Sequence, residues 1–178
     1  STTENGGLNE LYKQASYKLT PTVDPDASDF DLGETVDGWF VPSMPDLNQK
    51  NPHLMPYLIQ NSKWWIETVG IDGIRMDTYP YADAVGMAVW MKDINEEYPN
   101  YNVVGESWVT EPAYTAALQK DSKITPTPQG YKGKEPFNTY LNTVMDFTFF
   151  DHINLEKDEA TDDWLKGHKR QYNVYEYD

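Results

Sequence analysis

A chain of 178 residues, 39% hydrophobic and 24% charged, is globular material large enough for one modest core. With 29 acidic against 14 basic residues it carries a net charge of −15, which opposes nucleic acid and anionic membrane surfaces and suits a neutral ligand. There is no cysteine, so disulfides and thiolate metal sites are excluded, and no apolar run reaches membrane-spanning length.

Residues 1–38 are polar and weakly periodic. Their "DPDASDFD" at 24–31 clusters carboxylates as a hard cation would require. The EF-hand pattern nevertheless fails, with Asp29 at the sixth position and Thr35 at the twelfth. A solvated acidic loop is expected there, with a cation site as the other reading of the same carboxylates. From residue 39 the pattern becomes regular. "GWFVP" predicts a short strand, and the turn-rich "SMPDLNQKNP" follows. Pro52 opens a helix running to about Val69, with Leu54, Leu58, Trp65 and Val69 on one face and Gly70 closing it. Trp64 and Trp65, in mid-helix, are expected in the core. "IDGIRMD" is the next strand. A second helix spans about Ala82 to Tyr98, with Ala84, Ala88, Met91 and Tyr98 inward, before Pro99 stops it. "YNVVGES" and "NTVMDFTFF" read as further buried strands, and 123–138 as a long loop. Strands alternating with helices predict an α/β fold with a parallel sheet.

The chemistry gathers at strand ends. Parallel strands deliver their C-terminal ends to one edge of the sheet, where ligands bind. Asp77, Glu106 and Asp146 all fall near such ends, and Asp77 and Glu106 stand 29 residues apart, about one βαβ repeat. A carboxylate pair of this kind suits glycoside hydrolysis, in which one member attacks and the other carries a proton. The pair must then differ in protonation. Arg75 lies two residues before Asp77 on the same strand face and would keep that carboxylate ionised. Glu106 follows Val103, Val104 and Gly105, an apolar setting suited to a proton donor. A structural ion pair closing the strand end is the other reading of the same spacing. The aromatic content of 14%, which includes 13 Tyr and 6 Trp, fits both sugar stacking and core packing.

The segments "GIDGIRMD" and "VVGES" resemble the second and third signature segments of the α-amylase superfamily of glycoside hydrolases. "MPDLN" at 44–48 is similar to the extra segment of its neopullulanase and cyclomaltodextrinase branch. The three occur in the family's order within residues 36–150. The resemblance implies a (β/α)8 TIM barrel and retaining cleavage of α-glucosidic bonds in maltodextrins, pullulan or cyclodextrins. It implies Asp77 as nucleophile, Glu106 as acid/base and Arg75 as the residue orienting Asp77. Trp108 is placed to stack on a sugar, Tyr79 and Tyr81 to line the acceptor side, and Asp46 and Asn48 to shape the groove. Relatives often carry histidine at the position of Tyr81. For Trp108 core packing is the alternative, and for Asp46 and Asn48 a plain turn is.

The family's first segment and its late His-Asp pair are not found, since His53, His152 and His168 do not stand in that context. The chain is therefore expected to be a middle slice of a catalytic domain. Residues 1–38 would belong to the insertion after barrel strand 3, and residues 39–178 would supply about strands 4–6 with their helices. An α-glucan is the expected partner, with no nucleic acid and no membrane insertion. No cofactor is expected, since a structural calcium has no clear motif here. A periplasmic or extracellular setting is expected, the cytoplasm being the alternative. The slice alone is expected to be inactive and to be able to self-associate. Two other readings stand beside this one: a transglycosylase or trehalose-forming isomerase of the same superfamily, and a non-catalytic binding or scaffold remnant.

Overall fold

The computed structural model describes residues 27–39, 44–109, 111–123, 128, 132–134 and 136–149. The strand expected at 38–42 lies mostly outside them, as do His152 and His168. Helix α1 is Asp29–Asp37. The acidic loop expected over 24–31 is therefore helical from Asp29 onward. Ser28 explains this, because its hydroxyl accepts the Asp31 N–H (3.2 Å) as an N-cap. Asp29 and Asp31 then sit in the first turn, where the helix dipole favours negative charge.

Helix α2 is Leu54–Trp64 and continues through a wider π turn, Trp65–Val69, until Gly70 takes a left-handed conformation (φ 72°) and ends it. Strand β1 is Gly73–Met76, followed by a short 3₁₀ turn at Tyr79–Tyr81. Helix α3 is Ala84–Glu97, and Asp83 caps it by accepting the Gly86 N–H at 2.7 Å. Strand β2 is Asn102–Gly105, helix α4 is Pro112–Ala117, and strand β3 is Thr143–Val144. No element is expected at α4 from periodicity. Its mark is Pro112 at the first helical position.

The three strands form one parallel sheet in the order β1-β2-β3, with Arg75 opposite Val104 and Val104 opposite Thr143. Helices α2 and α3 pack against each other beside it. Their core joins Met55 and Ile59 to Met87, Trp90, Met91 and Ile94, closed by Val103, Tyr79 and Leu141. Between the helices Trp90 Nε1 donates to Ser62 Oγ at 3.0 Å. Lys63 is held by Asp93 (2.6 Å) and by Glu97, and its hydrogen bonds to the two carboxylates raise its pKa.

Three expectations change. The buried stripe of α2 is Met55 and Ile59 flanked by Leu58 and Ile66, so Trp64 and Trp65 leave the core at 50% and 45% exposure. They pack edge to face with each other instead, 4.8 Å between ring centroids. In α3 Ala84 faces out, and Met87, Trp90 and Ile94 join Ala88 and Met91 inside. The third strand is shorter than 142–150. It ends at Val144, and residues 147–149 are helical because Asp146 caps them, accepting the Phe149 N–H (2.9 Å) and the Thr148 hydroxyl (2.6 Å). Asp146 thus serves a helix start and is not a free strand-end carboxylate.

Candidate active site

Beyond Met76 and Gly105 the ladder continues for one more rung, since the Glu106 N–H donates to the Met76 carbonyl at 2.8 Å. That rung sets Glu106 beside Asp77. Both lie two residues beyond the Arg75–Val104 pair, so Arg75, Asp77 and Glu106 share one face of the sheet, at the C-terminal ends of two adjacent strands. The opposite face carries the core. Gly105 has no room for a side chain there, since a Cβ would come within 2.8 Å of Leu141 Cδ2 and 3.1 Å of Tyr79 Cγ.

The two carboxylates are held differently. Asp77 is 65% exposed and meets Arg75 only loosely, Nη1 to Oδ2 at 3.8 Å. Glu106 is 13% exposed and both its oxygens are engaged, Oε1 by Arg75 Nη2 at 2.7 Å and Oε2 by the Thr78 N–H at 2.9 Å. This differs from the expected arrangement, in which Arg75 serves Asp77 and Glu106 sits among apolar groups. The register supplies the reason. Glu106 lies diagonally across from Arg75, and the long guanidinium side chain reaches that neighbour more directly than the short Asp77 on its own strand. The two carboxylates are held unequally, but in the opposite sense to the expected one, with Glu106 as the more tightly held member.

Around this pair the aromatic residues divide. Trp108 is 63% exposed and stacks on Phe147, centroids 5.4 Å apart and planes 10° from parallel. Its carbonyl accepts the Tyr81 hydroxyl at 2.9 Å. Burial, with the Glu106 charge adding to it, raises the Tyr81 pKa and keeps that donor protonated. Tyr79, expected on the acceptor side with Tyr81, turns the other way. It is 5% exposed within the core, where desolvation pushes its pKa up. No sequence motif singles out Phe147. The alternation of "MDFTFF" reads as strand, and only the cap at Asp146 turns the Phe147 ring under Trp108.

The "MPDLN" segment forms a turn in which Asn48 Oδ1 accepts the Lys50 N–H (3.1 Å) and Asp46 Oδ1 accepts from Gln49 Nε2 (3.2 Å). With Trp39, Asp37 and Leu47 it lines a cavity of about 360 Å³. Neither Asp77 nor Glu106 lines that cavity. His53 stands at the start of α2, its N–H donated to Asn51 Oδ1 at 2.9 Å.

The model of the alpha-amylase catalytic domain matches residues 32–175. The chain is 28% identical over 121 residues to a cyclomaltodextrinase from Bacillus sp., covering 66% of this chain and 19% of that protein. It is 35% identical over 88 residues to neopullulanase 2 of Thermoactinomyces vulgaris, covering 46% of this chain and 14% of that protein. Among solved structures, an alpha-amylase of Anoxybacillus superposes with a TM-score of 0.59 at 22% identity, covering 94% of this chain and 33% of the other. At that identity the likeness concerns the fold. The chain thus spans a fifth or less of these sequence relatives and about a third of the structural one.

Proposed function

The chain belongs to the alpha-amylase catalytic-domain family, and on that premise we propose that the protein containing it is a retaining α-glycosidase acting on maltodextrins, pullulan or cyclodextrins. Its three strands would be strands 4–6 of a (β/α)8 barrel. One observation carries the reading: Asp77 and Glu106 stand side by side at the ends of adjacent parallel strands, with Arg75 reaching both. Neighbouring strand ends favour the close carboxyl spacing, roughly 5–5.5 Å, of retaining enzymes.

In this reading Asp77, open and loosely held, attacks the anomeric carbon, while Glu106 protonates the departing glycosidic oxygen as the C–O bond breaks. Water then gives its proton to Glu106 and releases the sugar from Asp77, with the α configuration retained. Trp108, its ring backed by Phe147, offers an open aromatic face to a glucosyl unit, and Tyr81 fixes the backbone from which that ring projects. A surface with net charge −15 suits a neutral glucan.

The test uses the full-length protein. Asp77→Asn and Glu106→Gln should each lower kcat by about 10³-fold or more while maltooligosaccharide binding survives, because both remove transition-state interactions and leave ground-state contacts. NMR of the first product from the unaltered protein should show the α-anomer. Near-normal turnover in either variant, or an initial β-anomer, overturns the assignment.

A further inference from the structure

Among the described residues three non-glycine positions have a positive φ, and Thr78 (φ 50°) is the only one with a β-branched side chain. Such side chains adopt this region only under strain, and strained backbone of this kind gathers at functional sites. The ladder shows what the conformation achieves. The Glu106 N–H bonds to the Met76 carbonyl, so an unbroken parallel ladder would bring the Thr78 N–H to the Glu106 carbonyl. The Tyr79 N–H makes that bond instead, at 3.1 Å. Thr78 is stepped out of the ladder as in a β-bulge, and its freed N–H turns to Glu106 Oε2 at 2.9 Å.

We infer that Thr78 is a positioning residue whose bulged backbone N–H fixes the Glu106 carboxyl group and decides which of its oxygens handles the proton. The inference rests on the reading of Glu106 as acid/base. An amide N–H only donates, so Oε2 remains an acceptor in both protonation states. The transferable proton is carried on Oε1. Arg75, which donates to Oε1 at 2.7 Å in the present state, must yield that oxygen, and Asp77 lies within 3.8 Å to receive it. Proton transfer then runs from Oε1 to the glycosidic oxygen, which takes the bonding pair as the C–O bond breaks.

The test is an amide-to-ester replacement at Thr78 in the full-length protein, with threonine's α-hydroxy acid inserted so that the N–H is lost and the side chain kept. Two substrates are compared: maltotriose, whose leaving group needs a proton, and 2,4-dinitrophenyl α-glucoside, whose leaving group does not. The ester protein should lose about tenfold or more in kcat/KM on maltotriose and less than about threefold on the aryl glucoside, with KM little changed. Equal losses on both substrates would indicate a purely structural role, and no loss on either would remove any role; both overturn the inference. If the ester protein does not fold, deletion of Thr78 removes bulge and donor together and should give the same contrast between substrates. Glu106→Gln serves as the separate control. If it lacks the leaving-group contrast, the acid/base reading fails; if it shows the contrast and the Thr78 proteins do not, only the present inference fails.

Discussion

Trp108 keeps most of its surface open although its ring is backed by Phe147 and its carbonyl is tied to Tyr81. A large aromatic held in place yet left uncovered is what stacking on a flat, neutral ring requires. In the full-length protein Trp108→Ala should therefore raise KM for maltooligosaccharides roughly 3- to 10-fold and change kcat less, the equivalent of about 0.5–1.5 kcal/mol of ring contact. Steady-state kinetics on a series of oligosaccharide lengths would check this, and an unchanged KM would take Trp108 out of the substrate site. At the same scale, residue type alone marked Asp77, Glu106 and Arg75 as candidates but left their pairing open. Spacing along one strand suggests an Arg75–Asp77 pair, and only the lateral register brings the Glu106 carboxylate nearer to the guanidinium.

Strand β2 carries the catalytic candidate on one face while its other face lies under Tyr79 and Leu141, and Gly105 makes that close packing possible. Gly105→Ala should destabilise the protein by about 1–3 kcal/mol, because the added methyl meets Leu141 and the Tyr79 ring inside a packed core. Chemical denaturation would measure the loss, and a variant as stable as the parent would mean that Leu141 can turn aside. The elements around this strand were legible in kind, less so in extent and facing. Helices α2 and α3 follow from Pro52, Gly70 and Pro99 acting as punctuation. Their buried stripes did not follow, since Leu, Trp and Met recur on several faces and periodicity alone cannot choose among them. Residues 147–149 illustrate the opposite case: apolar alternation argued for strand, and a single side-chain cap at Asp146 overrode it.

Across the whole molecule, the described sheet holds β2 between β1 and β3, which leaves an unpaired outer side on each of those strands among the described residues. Parallel strands are ordinarily covered, and open edges invite pairing with another chain. Trp64, Trp65 and Val69 add exposed apolar area at the end of α2. The 178-residue chain by itself is expected to self-associate, or to be a marginally stable monomer, and to show no α-glucosidase activity. Analytical ultracentrifugation together with a maltodextrin assay tests this. A stable monomer that hydrolyses maltodextrin would contradict both the expected association and the need for residues outside this chain.

Family membership, the parallel α/β class and the candidacy of the two carboxylates could all be read from the linear order of "MPDLN", "GIDGIRMD" and "VVGES", because each is a local pattern of residue types at short spacing. Which groups touch was decided only by the tertiary structure. Tyr79 and Tyr81 are two residues apart, yet one enters the core and the other turns toward Trp108. The 3₁₀ turn Tyr79–Tyr81 that follows the one-residue step at Thr78 separates them, and the step itself releases the N–H that binds Glu106. That step is a relation between two strands distant in sequence, set by their register and by one strained φ angle, and no local pattern encodes it.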